Sequence, residues 1–331
     1  MTQSAASNIA SDLVPRPVPG LLSLVLPVLN EEEMLPHLKA ELVSWRQTVP
    51  FKTEIVFVND GSTDGTMRFL RDWAAQDSTV KIISFTRNFG HQIAISAGLE
   101  WCSGDAVAIL DADLQDPLSV LPEMVTEYQA GYDVIYGIRA ERLGESFFKR
   151  GTAWIFYRLM RLLVTRDLPV DTGDFRVVSR RCVDIICSMP EGHRFMRGLF
   201  SWIGLPHKGV NYVRNPRIHG STKYSILGML RFATNAALSF SPLPMRVISF
   251  IGVLVAMFGF LYGCYAVIRW WYVGDTVQGW PTLVVLVSVL SGVILIALGI
   301  VGEYVSRIYE TVKQRPLYVL GETLNAPKVN R

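Results

Sequence analysis

The stretch KIISFTRNFGHQIAISAGLEWCSGDAVAILDAD, residues Lys81–Asp113, decides the fold class. Its two apolar runs, KIISFT and DAVAILDAD, have the length and composition of buried strands. The segment between them, GHQIAISAGLEWC, is typical of a helix. A strand, a helix and a second strand in this order predict a βαβ unit, in which both strands run parallel in one sheet.

The same alternation continues on both sides of this unit. Upstream, LLSLVLPVL and EIVFVND predict buried strands, and each is followed by an amphipathic helix. Downstream, LSVLPEMVTEYQA predicts a helix and DVIYGIR another strand. Strands that alternate with helices predict an α/β domain with a mostly parallel sheet. Ligands of such sheets bind beyond the carboxyl ends of the strands.

Polar and acidic residues follow three of the predicted strands, as Asn30–Glu31, Asn59–Asp60 and Asp111–Ala112–Asp113. Because the carboxyl ends of parallel strands meet at one edge, we expect these residues to share a pocket. If the third strand continues through the triplet, both of its aspartates face the same way. Adjacent carboxylates repel each other unless a cation joins them, and Mg²⁺ suits such oxygen ligands.

Each acidic strand end also has a purely structural alternative. Asn30 and Glu33 have the spacing of a capping box, which would simply start a helix. The stretch NDGSTDG could form a turn with a helix cap. Asp116 could cap a helix whose first residue is Pro117, and we expect this last alternative to hold. It does not explain the two aspartates of the triplet, because they precede the cap.

Two long apolar runs lie in the last third of the chain. Residues 247–268 and 281–302 contain no charged side chain, and each run has 22 residues. About 20 apolar residues span the core of a bilayer. Helices buried in a protein core are the alternative, but two such runs separated by one short loop favour a transmembrane hairpin.

The charges around the two runs predict their orientation. The loop YVGDTVQGW between them has no Lys or Arg, whereas the outer flanks carry Arg246, Arg307, Lys313 and Arg315. The positive-inside rule therefore places both chain ends in the cytoplasm. The net charge is only +3, which gives no global sign of nucleic-acid binding. We expect a membrane and no nucleic acid among the partners.

These patterns divide the chain into six segments. They are a flexible lead over 1–20, an α/β domain over 21–224, a juxtamembrane helix over 225–244, transmembrane helices over 245–272 and 280–303, and a cytoplasmic tail over 304–331. Within the α/β domain, the basic amphipathic segment 146–164 predicts a helix on the membrane surface. A core-facing helix with a solvated basic face is the alternative. The membrane hairpin on the same chain favours the interface.

Six motifs together resemble a known family. VLPVLNEEE, VNDGSTDG, RNFGHQIAISAG and DADLQDP, in this order and at these intervals, resemble glycosyltransferase family 2. DTGDFRVVSRR and RIHGSTKYS, followed by two spans, resemble its polyisoprenyl-phosphate glycosyltransferase branch. That branch includes dolichol-phosphate mannose synthases and bactoprenol glucosyltransferases of the GtrB type. The resemblance covers about Leu22–Arg315 and implies a GT-A, Rossmann-like catalytic domain.

The resemblance also implies roles for single residues. The nucleotide-sugar site would comprise Pro27, Leu29, Glu31, Val58, Asp60, Asp111, Ala112, Arg139, Arg217 and Lys223. Mg²⁺ or Mn²⁺ would be held by Asp111, Asp113 and Gln115. The catalytic set would comprise Asp113, Asp174, Arg176, Arg217 and Lys223. Related enzymes often have Tyr where this chain has Leu29, and Asp60 would accept a hydrogen bond from the base.

The chemistry of these side chains agrees with the implied roles. A divalent cation neutralises the charge that develops on a diphosphate leaving group. Arg176, Arg217 and Lys223 are the cations available to hold an acceptor phosphate, although a surface ion pair is the alternative for Arg176. A phosphate monoester is largely dianionic at pH 7, so a strong general base is less necessary. Asp174 is the best candidate for an acidic helper, or it orients Arg176.

From the residues and the resemblance we predict an inverting transfer of a hexose, from UDP-glucose, to undecaprenyl phosphate. The enzyme would be a multi-pass protein of the bacterial inner membrane, with its catalytic domain in the cytoplasm. We also expect a flippase partner and, by family resemblance, a homotetramer. GDP-mannose, UDP-GlcNAc and a UDP-aminoarabinose derivative stay open as donors.

Two other functions are disfavoured by the motifs. A processive polysaccharide synthase would need a QxxRW motif and more spans than this chain has. A non-catalytic lipid-binding scaffold would be expected to have lost Asp113 or the basic acceptor residues. His91 and His219 have no Cys or His partner at ligand spacing, which favours a structural role for both.

Overall fold

The computed structural model describes residues 13–139, 172–192, 194–215, 243–273 and 279–326. The chain divides into two compact units, with a boundary before Leu230 and a return to the first unit from Pro316 onwards. Several predictions lie outside the described residues. They concern the interfacial helix over 146–164, nearly all of the juxtamembrane helix, and the side chains of Arg217, His219 and Lys223.

The described part of the first unit is built around one sheet of eight strands. The strands are β1 (Leu21–Val28), β2 (Lys52–Asn59), β3 (Val80–Phe85), β4 (Ala106–Ile109), β5 (Val134–Arg139), β6 (Thr172–Ser179), β7 (His207–Tyr212) and β8 (Leu320–Leu324). Their order across the sheet is β7-β5-β6-β4-β1-β2-β3-β8. Strands β6 and β8 run antiparallel to their neighbours, and the remaining pairs are parallel. The predicted α/β fold with a mostly parallel sheet is confirmed.

Helices follow most of the strands, as the alternating pattern predicts. The helices are α1 (Leu35–Thr48), α2 (Thr66–Gln76), α3 (His91–Trp101), α4 (Leu121–Gln129), α5 (Arg180–Ser188), α6 (Met196–Trp202), α7 (Leu243–Val273) and α8 (Trp280–Val312). A short 3₁₀ turn over Leu118–Val120 precedes α4.

Both faces of the central sheet are buried, which explains why its strands read as continuous apolar runs. On one face, Leu24 of β1 and Phe57 of β2 belong to the main core cluster with residues of α1, α2 and α4. On the other face, α3 approaches so closely that a Cβ on Gly98 would lie 2.2 Å from Val25 and 3.3 Å from Val58. Helices therefore cover both faces of the sheet, and the polar residues that could bind a ligand lie at the ends of its strands.

A buried ion pair lies away from the predicted site. The carboxylate of Glu54 accepts hydrogen bonds from Ser23 Oγ at 2.6 Å and from Ser103 N and Oγ at 2.6 and 2.7 Å, and Lys81 Nζ lies 2.6 Å away. Burial alone would raise the pKa of Glu54, but these partners outweigh it and hold the pKa below its ordinary value. The ionised form is therefore the one that the fold stabilises.

Replacing Glu54 by glutamine is expected to lower the free energy of unfolding by about 3 kcal/mol at pH 7, because Lys81 would stay buried without its partner. A lowered folded-state pKa contributes stability above the unfolded pKa of 4.5, and that contribution is lost as the pH falls through the folded-state pKa. Wild type and variant should therefore converge in denaturant titrations only as the pH falls through and below this lowered folded-state pKa. Glu41→Gln, on the exposed side of α1, is the control and should change little.

The end of the chain returns to the sheet, which corrects the prediction of a simple tail over 304–331. Residues up to Val312 continue α8, and Leu320–Leu324 pairs antiparallel with β3. Tyr318 precedes this strand, stacks on Phe85 with ring centroids 4.7 Å apart, and donates a hydrogen bond of 2.6 Å to Glu100. Strand β8 thus covers the edge of the sheet at β3.

The second unit contains α7 and α8, which extend beyond the predicted spans of 245–272 and 280–303. Both helices are long and apolar enough to cross a membrane. Large apolar side chains lie exposed along both of them, including Phe260 at 71% and Leu295 at 68% exposure. Helices buried in the protein core, the alternative considered for these runs, do not fit such exposure. Their apolar surface indicates association with a membrane.

Candidate active site

The sheet topology brings six strand ends to one edge. Strands β1, β2, β3, β4, β5 and β7 run in the same direction, so their carboxyl ends meet there. Strand β6 runs the other way and pairs Arg176 with Ile109, the last residue of β4. Asp174, two residues before Arg176, consequently lies just beyond the end of β4, beside Asp111. The acidic residues predicted to meet at this edge are thus joined by Asp174, which the antiparallel strand β6 supplies.

The loops after β1 and β2 hold each other through Asn30. Its backbone is left-handed, with φ at 55°; its N–H donates to Ser62 Oγ at 2.9 Å, and its Oδ1 accepts from Thr63 N at 2.8 Å. Helix α1 begins only at Leu35, so the capping-box alternative for Asn30 is wrong. Helix α2 begins after Gly65, which has no side chain to cap it, but Asp64 Oδ1 accepts a hydrogen bond of 3.0 Å from Thr66 N at the start of the helix. The stretch NDGSTDG therefore does form a turn that holds the first residue of α2.

Asp60 fastens the loop that precedes α3. Its carboxylate is 3% exposed and accepts hydrogen bonds from Phe89 N at 2.6 Å and from Gly90 N at 3.0 Å. Burial raises the pKa of Asp60, and the two N–H donors oppose that rise. The role of Asp60 in binding a nucleotide base stays a prediction.

Gly61 allows this loop to approach β2. Its φ is 73°, and a Cβ at this position would lie 2.4 Å from the carbonyl carbon of Arg87. Gly61→Ala is therefore expected to destabilise the protein by about 2–4 kcal/mol, since both the backbone conformation and the space exclude a methyl group. Thermal unfolding measures the loss. Gly192→Ala, where a Cβ meets nothing within 4 Å, should leave the unfolding temperature unchanged.

The DADLQDP segment forms a turn rather than an extension of β4. Strand β4 ends at Ile109, and Leu114 has a φ of 53°. The parity argument for Asp111 and Asp113 is therefore wrong, because it required a continuing strand. The turn is closed by Gln115, whose N–H donates to Asp113 Oδ1 at 3.2 Å.

Asp116 does not cap a helix, which corrects another prediction. The 3₁₀ turn follows Pro117 without a side-chain cap. Asp116 is 3% exposed, and its Oδ1 accepts a hydrogen bond of 2.5 Å from the hydroxyl of Tyr212, at the end of β7. That hydroxyl also accepts from Arg139 Nε at 3.4 Å. Asp116 thus ties the turn to β5 and β7.

Asp174 lies at the centre of a charged cluster. Arg197 of α6 donates to its two carboxylate oxygens, from Nε at 2.8 Å and from Nη2 at 3.1 Å. His91, the first residue of α3, places Nε2 3.3 Å from Asp174 and 3.7 Å from Asp111. Burial would raise the pKa of Asp174, but Arg197 and the hydrogen bond from His91 hold it well below its usual range. A carboxylate held in this way is a weak base.

Asp111 carries the opposite shift. Although a third of its side chain is exposed, removal from water raises its pKa to about 6. His91 opposes this rise, whereas Asp174, Asp116 and Asp113 add to it. The carboxylates of Asp174, Asp116 and Asp113 therefore lie close enough to Asp111 to make its ionisation less favourable.

Arg176 is buried, so the surface ion pair considered for it is wrong. It is 4% exposed, and its guanidinium lies over the ring of Phe200 at 4.4 Å. Its Nη2 donates to Gly173 O at 3.0 Å, and its Nε donates to Asp174 O at 3.3 Å. Asp174 Oδ1 lies 4.0 Å away, farther than from Arg197. The carboxylate of Asp174 therefore interacts more closely with Arg197 than with Arg176.

The remaining residues of the predicted nucleotide site lie around the same edge. Pro27 and Val58 are paired across β1 and β2, and both are buried. Ala112 is 6% exposed, while Leu29 and Glu31 are partly exposed in the loop after β1. The structure therefore gathers the described members of the predicted set.

Known sequences match most of the chain. The sequence model of the family described as glycosyl transferase family 2 matches residues 23–185 of this chain. The family model described as GtrB C-terminal hairpin matches residues 243–308. A prophage-derived bactoprenol glucosyl transferase of Shigella flexneri is 42% identical over 299 residues, 90% of this chain and 97% of that protein. The chain belongs to glycosyltransferase family 2.

A second sequence relative of this family 2 enzyme agrees with the family assignment. An uncharacterised glycosyltransferase of Bacillus subtilis is 41% identical over 90% of this chain and 92% of its own length. Among solved structures, glucosyl-3-phosphoglycerate synthase of Mycobacterium tuberculosis with Mn²⁺, UDP-glucose and phosphoglyceric acid is 21% identical, with a TM-score of 0.43 over 72% of this chain and 83% of that one. The predicted family, GT-A fold and transferase activity are confirmed.

The acidic turn of this family 2 enzyme fits a divalent cation. Among the described residues, no three His, Cys, Asp or Glu side chains form a closed metal cage. Mg²⁺ does not need one, because it takes one or two carboxylates and completes its shell with water and substrate phosphates. Asp111, Asp113 and the amide oxygen of Gln115 have the right chemistry. Burial is the main cause of the raised pKa of Asp111, and the charges of Asp174, Asp116 and Asp113 add to it; a bound cation would offset that repulsion.

Sequence reasoning missed four residues of this site. The sequence favours a purely structural role for His91, and it gives no local signal for Arg197, Tyr212 or Arg214. Arg197 lies 23 residues from Asp174, and Tyr212 lies 96 residues from Asp116, so no local spacing links either pair. His91 alone had a usable signal, since it follows a glycine at the predicted start of a helix next to the acidic edge.

Proposed function

We propose that this family 2 enzyme transfers glucose from UDP-glucose to the phosphate of a polyprenyl phosphate, with inversion at the anomeric carbon. The observation that carries the proposal is the meeting of Asp111, Asp113 and Asp174 with His91 and Arg197 at the carboxyl edge of the sheet. The relatives called bactoprenol glucosyl transferase support a glucosyl donor and an undecaprenyl phosphate acceptor.

The proposed roles follow from charge and position. A bound Mg²⁺ or Mn²⁺ would neutralise the diphosphate leaving group. Asp113 is its main ligand, with Asp111 and Gln115 beside it. Pro27, Leu29, Glu31, Val58, Asp60, Ala112 and Arg139 form the nucleotide-sugar site. Arg217 and Lys223 hold the acceptor phosphate, and the buried guanidinium of Arg176 adds positive potential behind it.

The acceptor needs little help from a base in this scheme. A phosphate monoester is largely dianionic at pH 7 and is already a nucleophile. Asp174 is held well below its usual pKa by Arg197 and His91 against the effect of burial, so its task is to position His91 beside Asp111. Orientation of the site, rather than proton transfer, is then the contribution of Asp174.

A lipid acceptor explains the membrane hairpin. Strands β1–β7 precede the two apolar helices and β8 follows them, yet all belong to one sheet. If both helices cross the bilayer, the chain must return to the side from which it started. The basic flanks favour the cytoplasmic side of a bacterial inner membrane. We also expect a flippase that moves the product across and a homotetrameric assembly.

A donor screen tests this function. Purified enzyme with Mg²⁺ or Mn²⁺ and undecaprenyl phosphate is given labelled UDP-glucose, UDP-GlcNAc, GDP-mannose or a UDP-aminoarabinose derivative. We expect label from UDP-glucose to enter an organic-extractable lipid in which the glucose is β-linked to the phosphate. Label from another donor would correct the sugar, and label only in water-soluble polymer would contradict the lipid acceptor.

A further inference from the structure

Arg214 occupies the acidic turn without being fixed there by hydrogen bonds. Its Nη2 lies 3.9 Å from Asp113 Oδ2, and its Nε lies 3.7 Å from Asp116 Oδ1. Both distances are within the range of ion pairs but too long for hydrogen bonds. Within the described part of the chain, Arg214 Nε is buried and has no hydrogen-bond partner. Two carboxylates therefore attract the guanidinium in this position at ion-pair distance.

The backbone beside Arg214 is held much more firmly than its side chain. The N–H of Asn215 donates to Gln115 O at 2.9 Å, and Asn215 O accepts from Gln115 Nε2 at 3.5 Å. Tyr212, two residues earlier, is bound to Asp116 at 2.5 Å. The segment 212–215 is therefore fastened to the acidic turn on both sides of Arg214. A long side chain on a fixed backbone can change partners without disturbing the fold.

We propose that Arg214 is a placeholder cation, which pairs with Asp113 and Asp116 until a divalent cation binds Asp113 and then moves to a phosphate of the substrate. This inference rests on the proposed function, which assigns the cation to Asp113. A divalent cation on Asp113 would repel a guanidinium at about 4 Å and take over its counter-charge. The displaced guanidinium suits phosphate oxygens, which it can bind in a bidentate manner.

The position of Arg214 in the chain would make this exchange useful for transfer. Asn215 contacts the acidic turn, and the motif RIHGSTK with Arg217 and Lys223 begins two residues later in the sequence. Arrival of the cation would add one more phosphate-binding group to this stretch. Binding of the cation and binding of phosphate should therefore strengthen each other, as any coupling between two sites is reciprocal.

Titration of Mn²⁺ by electron paramagnetic resonance, on the full chain in detergent micelles, tests the exchange without relying on turnover. Arg214→Gln is expected to bind Mn²⁺ about three- to tenfold more tightly than wild type when no nucleotide is present, because a competing charge is gone. Added UDP should raise the Mn²⁺ affinity of wild type by a larger factor than that of Arg214→Gln. Arg214→Met should behave like Arg214→Gln.

Two controls separate this mechanism from the alternatives. Lys208→Gln removes one positive charge from β7, the strand that precedes Arg214; Lys208 lies 3.9 Å from Glu127, and the variant should bind Mn²⁺ like wild type. Arg214→Lys keeps a cation and should keep the weaker, wild-type Mn²⁺ affinity while losing part of the effect of UDP.

The Mn²⁺ affinity of Arg214→Gln distinguishes a placeholder from a structural side chain. Binding that is equal to or weaker than that of wild type would overturn the placeholder, since a merely structural Arg214 predicts a loosened turn. Asp113→Asn serves as the reference for the proposed function. If Asp113→Asn binds Mn²⁺ as wild type does, the cation site itself is wrongly assigned, whatever Arg214 does.

Discussion

Replacing Asp113 by asparagine is expected to lower transfer of labelled sugar to lipid by about a thousandfold, which corresponds to about 4 kcal/mol of transition-state stabilisation. The variant keeps the shape of the side chain and loses its charge. Asp113 is the carboxylate that we assign as the main ligand of the divalent cation, and that cation stabilises the diphosphate as the bond to the sugar breaks. Initial rates at saturating Mn²⁺ measure the loss.

A matched control shows whether the effect is local. Asp72 on α2 is exposed, and Asp72→Asn removes the same charge away from the acidic turn. This control should retain wild-type rates. Thermal unfolding of Asp113→Asn should stay close to that of wild type, because the side chain lies at the pocket edge. Full activity of Asp113→Asn would refute the assignment of the cation to this turn.

Replacing Asp174 by asparagine is expected to lower transfer at least a hundredfold and to destabilise the protein by about 3 kcal/mol. Asp174 is 6% exposed and lies between Arg197, His91 and Arg176. Without its charge, these groups would lose the carboxylate that compensates them. His91 would also lose the partner that holds it beside Asp111. Rates and unfolding temperatures, measured on the same preparations, give both effects.

The companion variant Arg197→Gln distinguishes orientation from base catalysis. Burial raises the pKa of Asp174, and Arg197 is the strongest influence that lowers it again. Removing Arg197 would therefore make Asp174 a stronger base. Activity should still fall if Asp174 orients the site, whereas unchanged or higher activity would support a base. Asp184→Asn, with its side chain 66% exposed on α5, is the control for the negative charge lost in Asp174→Asn and should keep wild-type activity.

The central sheet could be predicted because its signals are local. Each apolar run is followed by a helix, and burial on both faces makes strands such as Leu21–Val28 almost entirely apolar. Asp111 and Asp113 can be recognised because they directly follow such a run. Even there, the parity argument for the two side chains does not apply, because β4 ends at Ile109, before both aspartates.

The parts that could not be predicted depend on contacts between distant residues. Asp116 has the local pattern of a helix cap, but Tyr212 from the other end of the domain binds it instead. His91 offers no metal-ligand spacing, and only the antiparallel β6 brings Asp174 next to it. Strand β8 follows two long apolar helices, and its short sequence LGETL lacks the apolar run that would predict a strand.

The return of the chain into the sheet sets the order in which this protein can be completed. Residues 320–324 leave the ribosome after both apolar helices, so β3 would remain an uncovered edge during the proposed insertion of the hairpin. The pair formed by Arg71 and Glu322, with a shortest N–O distance of 2.6 Å, can close only at that last step. Until β8 pairs with β3, the nascent chain would expose the edge of β3. An exposed strand edge can pair with other chains and so favours aggregation.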